Sequence, residues 1–336
     1  MRNRFHARIG VSLAFGRIDV QGQHGSSDET WQMTASERTG VAYAIAGFAL
    51  LSVGDAVVKS MAGASPAYAV AALRFSIGAI VLSALLLRQE GASAFRPRNT
   101  WLQIGRGASL AIASVCFFSA IYIMPLAEAM AIGFLAPVLT QMLSVPLLGE
   151  RVRPSMWAVS LVSLLGVAII LRPNLAELGL GALFPLISAI FFALMMIANR
   201  ASAGQASALS MQVFVAAICA PILILLCAGI KLSGIPALDF DWPSWDIALR
   251  CIVVAGTAST AHWLAYIGLS KAGASQVAPA IYVQMLVAIA LGWWWFEDRP
   301  DAYTIGGASL IIGAGLYLWR DGLNGTVASR GLPPDQ

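Results

Sequence analysis

The feature that most constrains this chain is a succession of ten apolar stretches, each close to the length a helix needs to cross a lipid bilayer. About 20 residues of α-helix span the hydrocarbon core. Spans are expected near 40–60, 66–88, 102–122, 125–148, 155–172, 179–199, 207–230, 247–269, 272–296 and 302–320. Punctuation between them falls at Ser65-Pro66, Arg96-Pro97, Pro125, Arg153-Pro154, Arg172-Pro173 and Arg299-Pro300, where proline ends or begins helices.

Composition removes the soluble alternative. Of 336 residues 58% are hydrophobic and only 11% charged, with mean hydropathy +0.76. Soluble domains carry roughly 25% charged residues, so this chain cannot cover a water-facing surface of its size. The net charge of +4 reflects basic residues in short loops and at the N-terminus, which is lipid topology and not nucleic-acid binding. Cys116, Cys219, Cys227 and Cys251 lie in apolar runs without metal-site spacing, and His6, His24 and His262 are scattered. No metal, no cofactor and no disulfide framework is expected.

Residues 1–38 are polar, basic and glycine-rich, and Arg17 interrupts their one apolar run. They read as a disordered cytoplasmic extension, not a signal peptide, with Met33 an alternative start. Basic residues set the orientation. With the N-terminus inside, inner segments hold fourteen lysines and arginines and outer segments five (Lys59, Arg172, Lys231, Arg250, Arg299). Both termini are therefore expected in the cytoplasm, in a bacterial-type inner membrane. Trp101, Trp157 and Trp319 fall at inner ends, and Trp242, Trp245 and Trp293 to Trp295 at outer ends, as interfacial belts do.

The chain also resembles itself. Shifted by 147 residues, the stretch from Ala127 to Leu171 lies over that from Ala274 to Leu318 without gaps, placing Glu150 on Glu297, Ala131 on Ala278 and Gly166 on Gly313. Five spans per half is an odd number, so the halves face opposite ways. Inverted repeats are the architecture of secondary transporters, with the substrate site at the repeat interface. The expected layout is an all-α integral membrane protein of ten transmembrane helices, divided into residues 39–173, 174–321 and a cytoplasmic tail 322–336. The pairs Ala127/Ala131 and Ala274/Ala278 would bring the fourth and ninth spans close together.

Five plus five inverted spans, the turn LLGERVRP after the fourth, and the ending FEDRPDAYTIGGASLIIGAGLYLWR together resemble the drug/metabolite transporter superfamily, EamA type, over about residues 40–320. The stretches GDAVVKS, ALRFS and IGRGAS resemble its metabolite-importing branch. The resemblance implies a secondary carrier with a central cavity that opens alternately to either side. Its substrate would be a small polar organic metabolite of S-adenosylmethionine, riboflavin or amino-acid type. Partners would be that solute and the lipid bilayer, without nucleic acid, the protein being a monomer or homodimer.

Ionisable groups inside a membrane are costly and mark functional sites by default. Asp55, Lys59, Arg74, Glu128 and His262 are the candidates. Arg74 lies roughly 12 Å below the start of its helix. It either holds an anionic substrate group in bidentate fashion or is neutralised by Asp55 at similar depth. Lys59 is expected to snorkel to the outer interface. Glu128 sits where the fourth helix begins, suited to the helix dipole or to gating. His262 is a packing residue or a proton relay. Gln141, Tyr282 and Gln284 could offer hydrogen bonds and a stacking face, with Tyr122, Trp263 and Tyr266 as further candidates. The rival classes are an intramembrane enzyme, for which His262 with Ser270 or Ser275 is the one conceivable pair, and a channel. No GxxxxGK[ST] loop is present, so an ATP-driven engine is not expected.

Overall fold

Residues 35–148, 154–202, 204–235, 240–272 and 277–330 are described by a computed structural model. Among them there are helices and no strands. The helices are α1 (Ala35–Lys59), α2 (Ala67–Gln89), α3 (Thr100–Ile123), α4 (Leu126–Gly133), α5 (Ala136–Leu148), α6 (Pro154–Leu178), α7 (Phe184–Ala201), α8 (Ala208–Ser233), α9 (Trp245–Ala272), α10 (Tyr282–Phe296) and α11 (Ala302–Arg330). Eight helical stretches are long and apolar enough to cross a membrane, α4 and α5 together forming one of them. The apolar parts Trp157–Arg172 of α6 and Ala302–Tyr317 of α11 complete ten.

Local chemistry explains most boundaries. Asn99 caps α3 by accepting from the Leu102 amide at 3.1 Å, and Ser207 caps α8 by accepting from Ser210 at 3.0 Å, satisfying amides that the first turn leaves free. Pro66 and Pro125 stand immediately before α2 and α4. Arg172-Pro173 does not end its helix as expected. α6 runs on to Leu178, and a single 3-10 segment, Gly179–Leu183, joins it to α7. The N-terminal extension, Met33, Glu150 and Ala274 lie outside the described residues.

Pairing between helices follows an approximate two-fold rule. α1 packs on α9, and its repeat equivalent α7 packs on α3. α2 on α9 is matched by α8 on α3, and α1 on α10 by α7 on α5. α2 with α8, and α6 with α11, pair across the axis itself. Each half therefore contributes its first helix to the other half's third. This is the arrangement of two inverted five-helix repeats, and it makes them interlock.

The most extensive pair, α1 with α9, is built on small residues. Gly40, Gly47 and Gly54 recur every seven residues along α1 and meet Ala272 and Gly268, Ala261, and Thr257 of α9. A Cβ added at Gly47 would lie 2.8 Å from the Ala261 carbonyl oxygen. Seven-residue spacing keeps one seam facing its partner over many turns. Lipid supplies no hydrophobic drive between helices, so such close backbone approach provides the packing attraction. Gly166 and Gly307 do the same between α6 and α11. Gly313, which the sequence shift pairs with Gly166, faces open space instead.

The fourth and ninth spans are not continuous helices. Between α4 and α5, residues Phe134 and Leu135 form a turn, with the Leu135 amide bonded to Ile132, only three residues back. Pro137 has no N–H to offer the Gly133 carbonyl. In the ninth span a 3-10 segment, Ala278–Ile281, containing Pro279, precedes α10. Phe134 and Leu135 shift by 147 onto Ile281 and Tyr282, so the two discontinuities are equivalent in the repeat. α4 packs against α10.

Gly47→Val is expected to destabilise the detergent-solubilised protein by about 1–3 kcal/mol through overpacking. Gly78→Ala, where an added Cβ meets nothing within 4 Å, is expected to be neutral or to stabilise by up to about 1 kcal/mol. Thermal unfolding of both variants checks the seam, and equal midpoints would contradict it.

Candidate functional site

One group of polar side chains in the membrane interior lies around the start of α10, at the discontinuity of the ninth span. Asp55 on α1 accepts from Gln284 Nε2 on α10 at 3.4 Å, and Ser52, one turn earlier, donates to the Gln284 backbone carbonyl. Tyr282 opens α10. Its ring packs 5.8 Å from that of Phe134, and its hydroxyl lies where a side chain at Gly315 of α11 would be, 1.6 Å from an added Cβ. The first side chains of the ninth span's helix are thus wedged between α4, α11 and α1.

Arg74 of α2 reaches into the same region. Its guanidinium lies 4.7 Å from the Phe75 ring centroid and 5.5 Å from that of Phe118 on α3. Such stacking favours a cation but offers no oxygen. Asp55, Cys219 and Cys251 are within electrostatic reach. No ion pair within 4.0 Å joins Arg74 to Asp55, and no hydrogen-bond acceptor contacts it, among the described residues. Tyr122, one turn beyond Phe118 on α3, has a buried hydroxyl without a hydrogen-bond partner. Buried polar groups usually have partners, so both groups present unmet bonding capacity next to the apolar cluster that contains Phe118, Cys219 and Cys251.

Not every expected candidate joins this group. Glu128 is buried at 7% exposure in the first turn of α4 and accepts from Thr304 of α11 at 3.1 Å. Gln141 is half-buried on α5. His262 and Tyr266 lie exposed one turn apart on α9, and His262 Nδ1 contacts the carbonyl of Ala258 in its own helix. Trp263 beside them is exposed too. Ser270, the histidine's conceivable catalytic partner, donates to Ile267 in its own helix.

Two features departed from the sequence reading. Lys59 does not snorkel: its ammonium pairs with Asp298, donates to the Met124 carbonyl at 3.1 Å and lies 5.1 Å from the Phe296 ring centroid. A cation with three such partners is held more firmly by the protein than by the interface. Arg106, the arginine of IGRGAS, was not among the ionisable candidates. It is buried at 4% exposure, donates from Nε to Asn199 Oδ1 at 2.6 Å, and reaches Gln103 and the Met211 carbonyl. Its position six residues into α3, roughly 9 Å along the axis, was the available signal. An open groove of about 370 Å³ at the distal end of α10, lined by Ile289, Trp293, Arg299 and Pro300, includes none of the clustered polar groups.

Known proteins of similar sequence are transporters. The chain is 29% identical over 290 residues to the pseudopaline exporter CntI of Pseudomonas aeruginosa, covering 84% of this chain and 96% of that one. It is 24% identical to an S-adenosylmethionine uptake transporter of Rickettsia prowazekii, covering 83% and 92%. It is 25% identical to a riboflavin transporter of Rhizobium johnstonii, covering 72% and 78%. A solved structure of 22% identity covers 84% of this chain and 96% of that one with a TM-score of 0.54, which shows a shared fold. The model of the EamA-like transporter family matches twice, over residues 38–172 and 179–319. A multi-pass membrane protein with this double match is a transporter of small molecules and not an enzyme, and the chain belongs to the EamA-like transporter family.

Proposed function

We propose that this transporter is a secondary carrier that moves a small polar organic metabolite across the cytoplasmic membrane by alternating access, both termini lying in the cytoplasm. Substrate binds where the discontinuous fourth and ninth spans meet α1, α2 and α3. The observation that carries this reading is Arg74, a cation set into the membrane interior against two aromatic rings without an oxygen partner among the described residues. Leaving a charge so placed is costly unless water or a ligand completes its shell. A substrate carboxylate does so by two parallel N–H···O bonds, with the Tyr122 hydroxyl as a third donor. Asp55, with Gln284 beside it, is left to receive an ammonium or other donor.

Amino-acid-like and S-adenosylmethionine-like solutes carry both groups. A neutral riboflavin-like solute would rely instead on Tyr282, Phe134 and Gln284. The relative named for S-adenosylmethionine supports the first kind, and the riboflavin relative the second. Opposite charges on Asp55 and Arg74 that do not meet each other favour the first. No ATP-binding loop is present in the sequence, so transport runs either on gradients or as facilitated diffusion.

The test is uptake and counterflow in liposomes with amino acids, adenosyl compounds and riboflavin. Arg74→Ala and Asp55→Asn are each expected to lower uptake about 10–100-fold, the range of one lost charge-assisted contact, with folded yield retained. Normal transport by Arg74→Ala would sink the binding role. Gly315→Ala, which displaces the Tyr282 hydroxyl, is expected to slow uptake several-fold, and adding Tyr282→Phe to restore part of it. Unchanged uptake in Gly315→Ala would show that the position of Tyr282 does not matter to transport.

A further inference from the structure

α1 ends, α4 begins and α10 ends at one and the same face of the bundle, here the distal face. There the chain performs its one described left-handed turn at a residue other than glycine. Glu297, φ +57°, closes α10, and the Asp298 amide returns to the Gly292 carbonyl at 2.9 Å. A left-handed conformation at a residue with a Cβ is costly, and here it has a result. It turns the Asp298 carboxylate back over the bundle, where it pairs with Lys59 of α1 and accepts from the Leu126 amide at the start of α4 at 3.2 Å. Lys59 donates to Met124 in the same α3–α4 turn at 3.1 Å. An added Cβ at Gly292 would meet Asp298 at 3.6 Å, an ordinary contact, so the carboxylate packs directly over that turn of α10. The two side chains are only 11% and 18% exposed.

We propose that Lys59 and Asp298 are the distal latch of the transporter, an ion pair that closes the path to Asp55 and Arg74 from that face and parts when the face opens. Lys59 stands one turn beyond Asp55 on α1, so it covers the same helix face nearer the mouth. The pair joins the first repeat to the second, and an opening between repeats must separate it. Asp298 serves three elements at once, α1, α4 and its own turn, so its release frees the start of the broken fourth span. Shifted back by 147, Asp298 falls on Arg151, so the acidic residue itself is not repeated at the equivalent sequence position. The inference rests on the alternating-access reading above.

The test is side-specific thiol labelling of purified protein in detergent, which requires no substrate. In a background with Cys116, Cys219, Cys227 and Cys251 replaced by alanine, Ala127→Cys reports from the first turn of α4, where Ala127 is 3% exposed. Ser202→Cys, at a position 1% exposed, reports from the opposite face at the end of α7. Lys59→Met and Asp298→Asn are each expected to raise the labelling rate at Ala127→Cys by about tenfold or more, following the open population, without raising it at Ser202→Cys. Lys59→Arg and Asp298→Glu are expected to keep labelling slow. Asp246→Asn, which breaks the exposed Arg250–Asp246 pair, is expected to have no effect. Unchanged labelling in both neutral variants overturns the latch, as does faster labelling of both reporters together, which would mark general loosening. A failed uptake assay alone would leave these rates readable, so loss of the carrier reading and loss of the latch are separate results.

Discussion

The membrane interior contains no water to satisfy a free backbone group, and this one constraint decides where the chain can be irregular. A helix can break at mid-span only where protein or a solvated cavity surrounds the break. Pro137 removes one backbone donor in the fourth span, and the ninth opens with a 3-10 turn around Pro279. Both sites lie against other helices. α4 is buried throughout from Leu126 to Ile132, and the Gln284 carbonyl receives the Ser52 hydroxyl. Side-chain oxygens of α1 therefore meet the backbone and the amide side chain of Gln284 where the repeats meet. Polarity at the centre follows from the broken backbone as much as from the charged residues around it.

The glycine seams serve that centre from outside. Interlocked repeats need α1 to lie close along nearly the whole length of α9, and Gly40, Gly47 and Gly54 permit it. The same helix carries Ser52, Asp55 and Lys59 on faces next to the seam. A rigid α1–α9 unit can thus present polar groups to α10 without moving its own axis. Rigid units that tilt against each other are what transporters of inverted-repeat design use to expose one site to two sides.

Much of this architecture is legible in one dimension because the bilayer writes it there. A span must be about 20 apolar residues long, so the ten helices could be read from hydropathy, and a 147-residue shift revealed the repeat. Small residues were legible as packing signals too, but their partners were not. Gly166 meets Gly307 and not Gly313, because the sequence shift compares equivalent positions while packing joins different ones. The same limit hid Asp298. Nothing in the string FEDRP says that Glu297 turns left-handed and aims the next carboxylate inward, and without that turn Lys59 has only the interface to go to. The depth of Arg74 was readable by counting residues. Its separation from Asp55 was not, because two groups at equal depth can face different neighbours.

Among the described residues, buried cations near the two ends of the bundle are held by different chemistry: Lys59 by a carboxylate, Arg106 by neutral dipoles. Arg106 at the proximal end is held by neutral dipoles, from Asn199, Gln103 and the Met211 carbonyl, and has no acidic partner among the described residues. Lys59 at the distal end has a carboxylate, a carbonyl and a ring. An ion pair gains more Coulomb energy than a cation among dipoles, but it also desolvates two charges, and the net of a buried pair is often small. A carrier's end states must differ by only the few kcal/mol that a substrate's differential binding can supply. If the Lys59–Asp298 pair closes one face, the other face needs a closure of nearly equal net free energy, which need not be of the same chemistry.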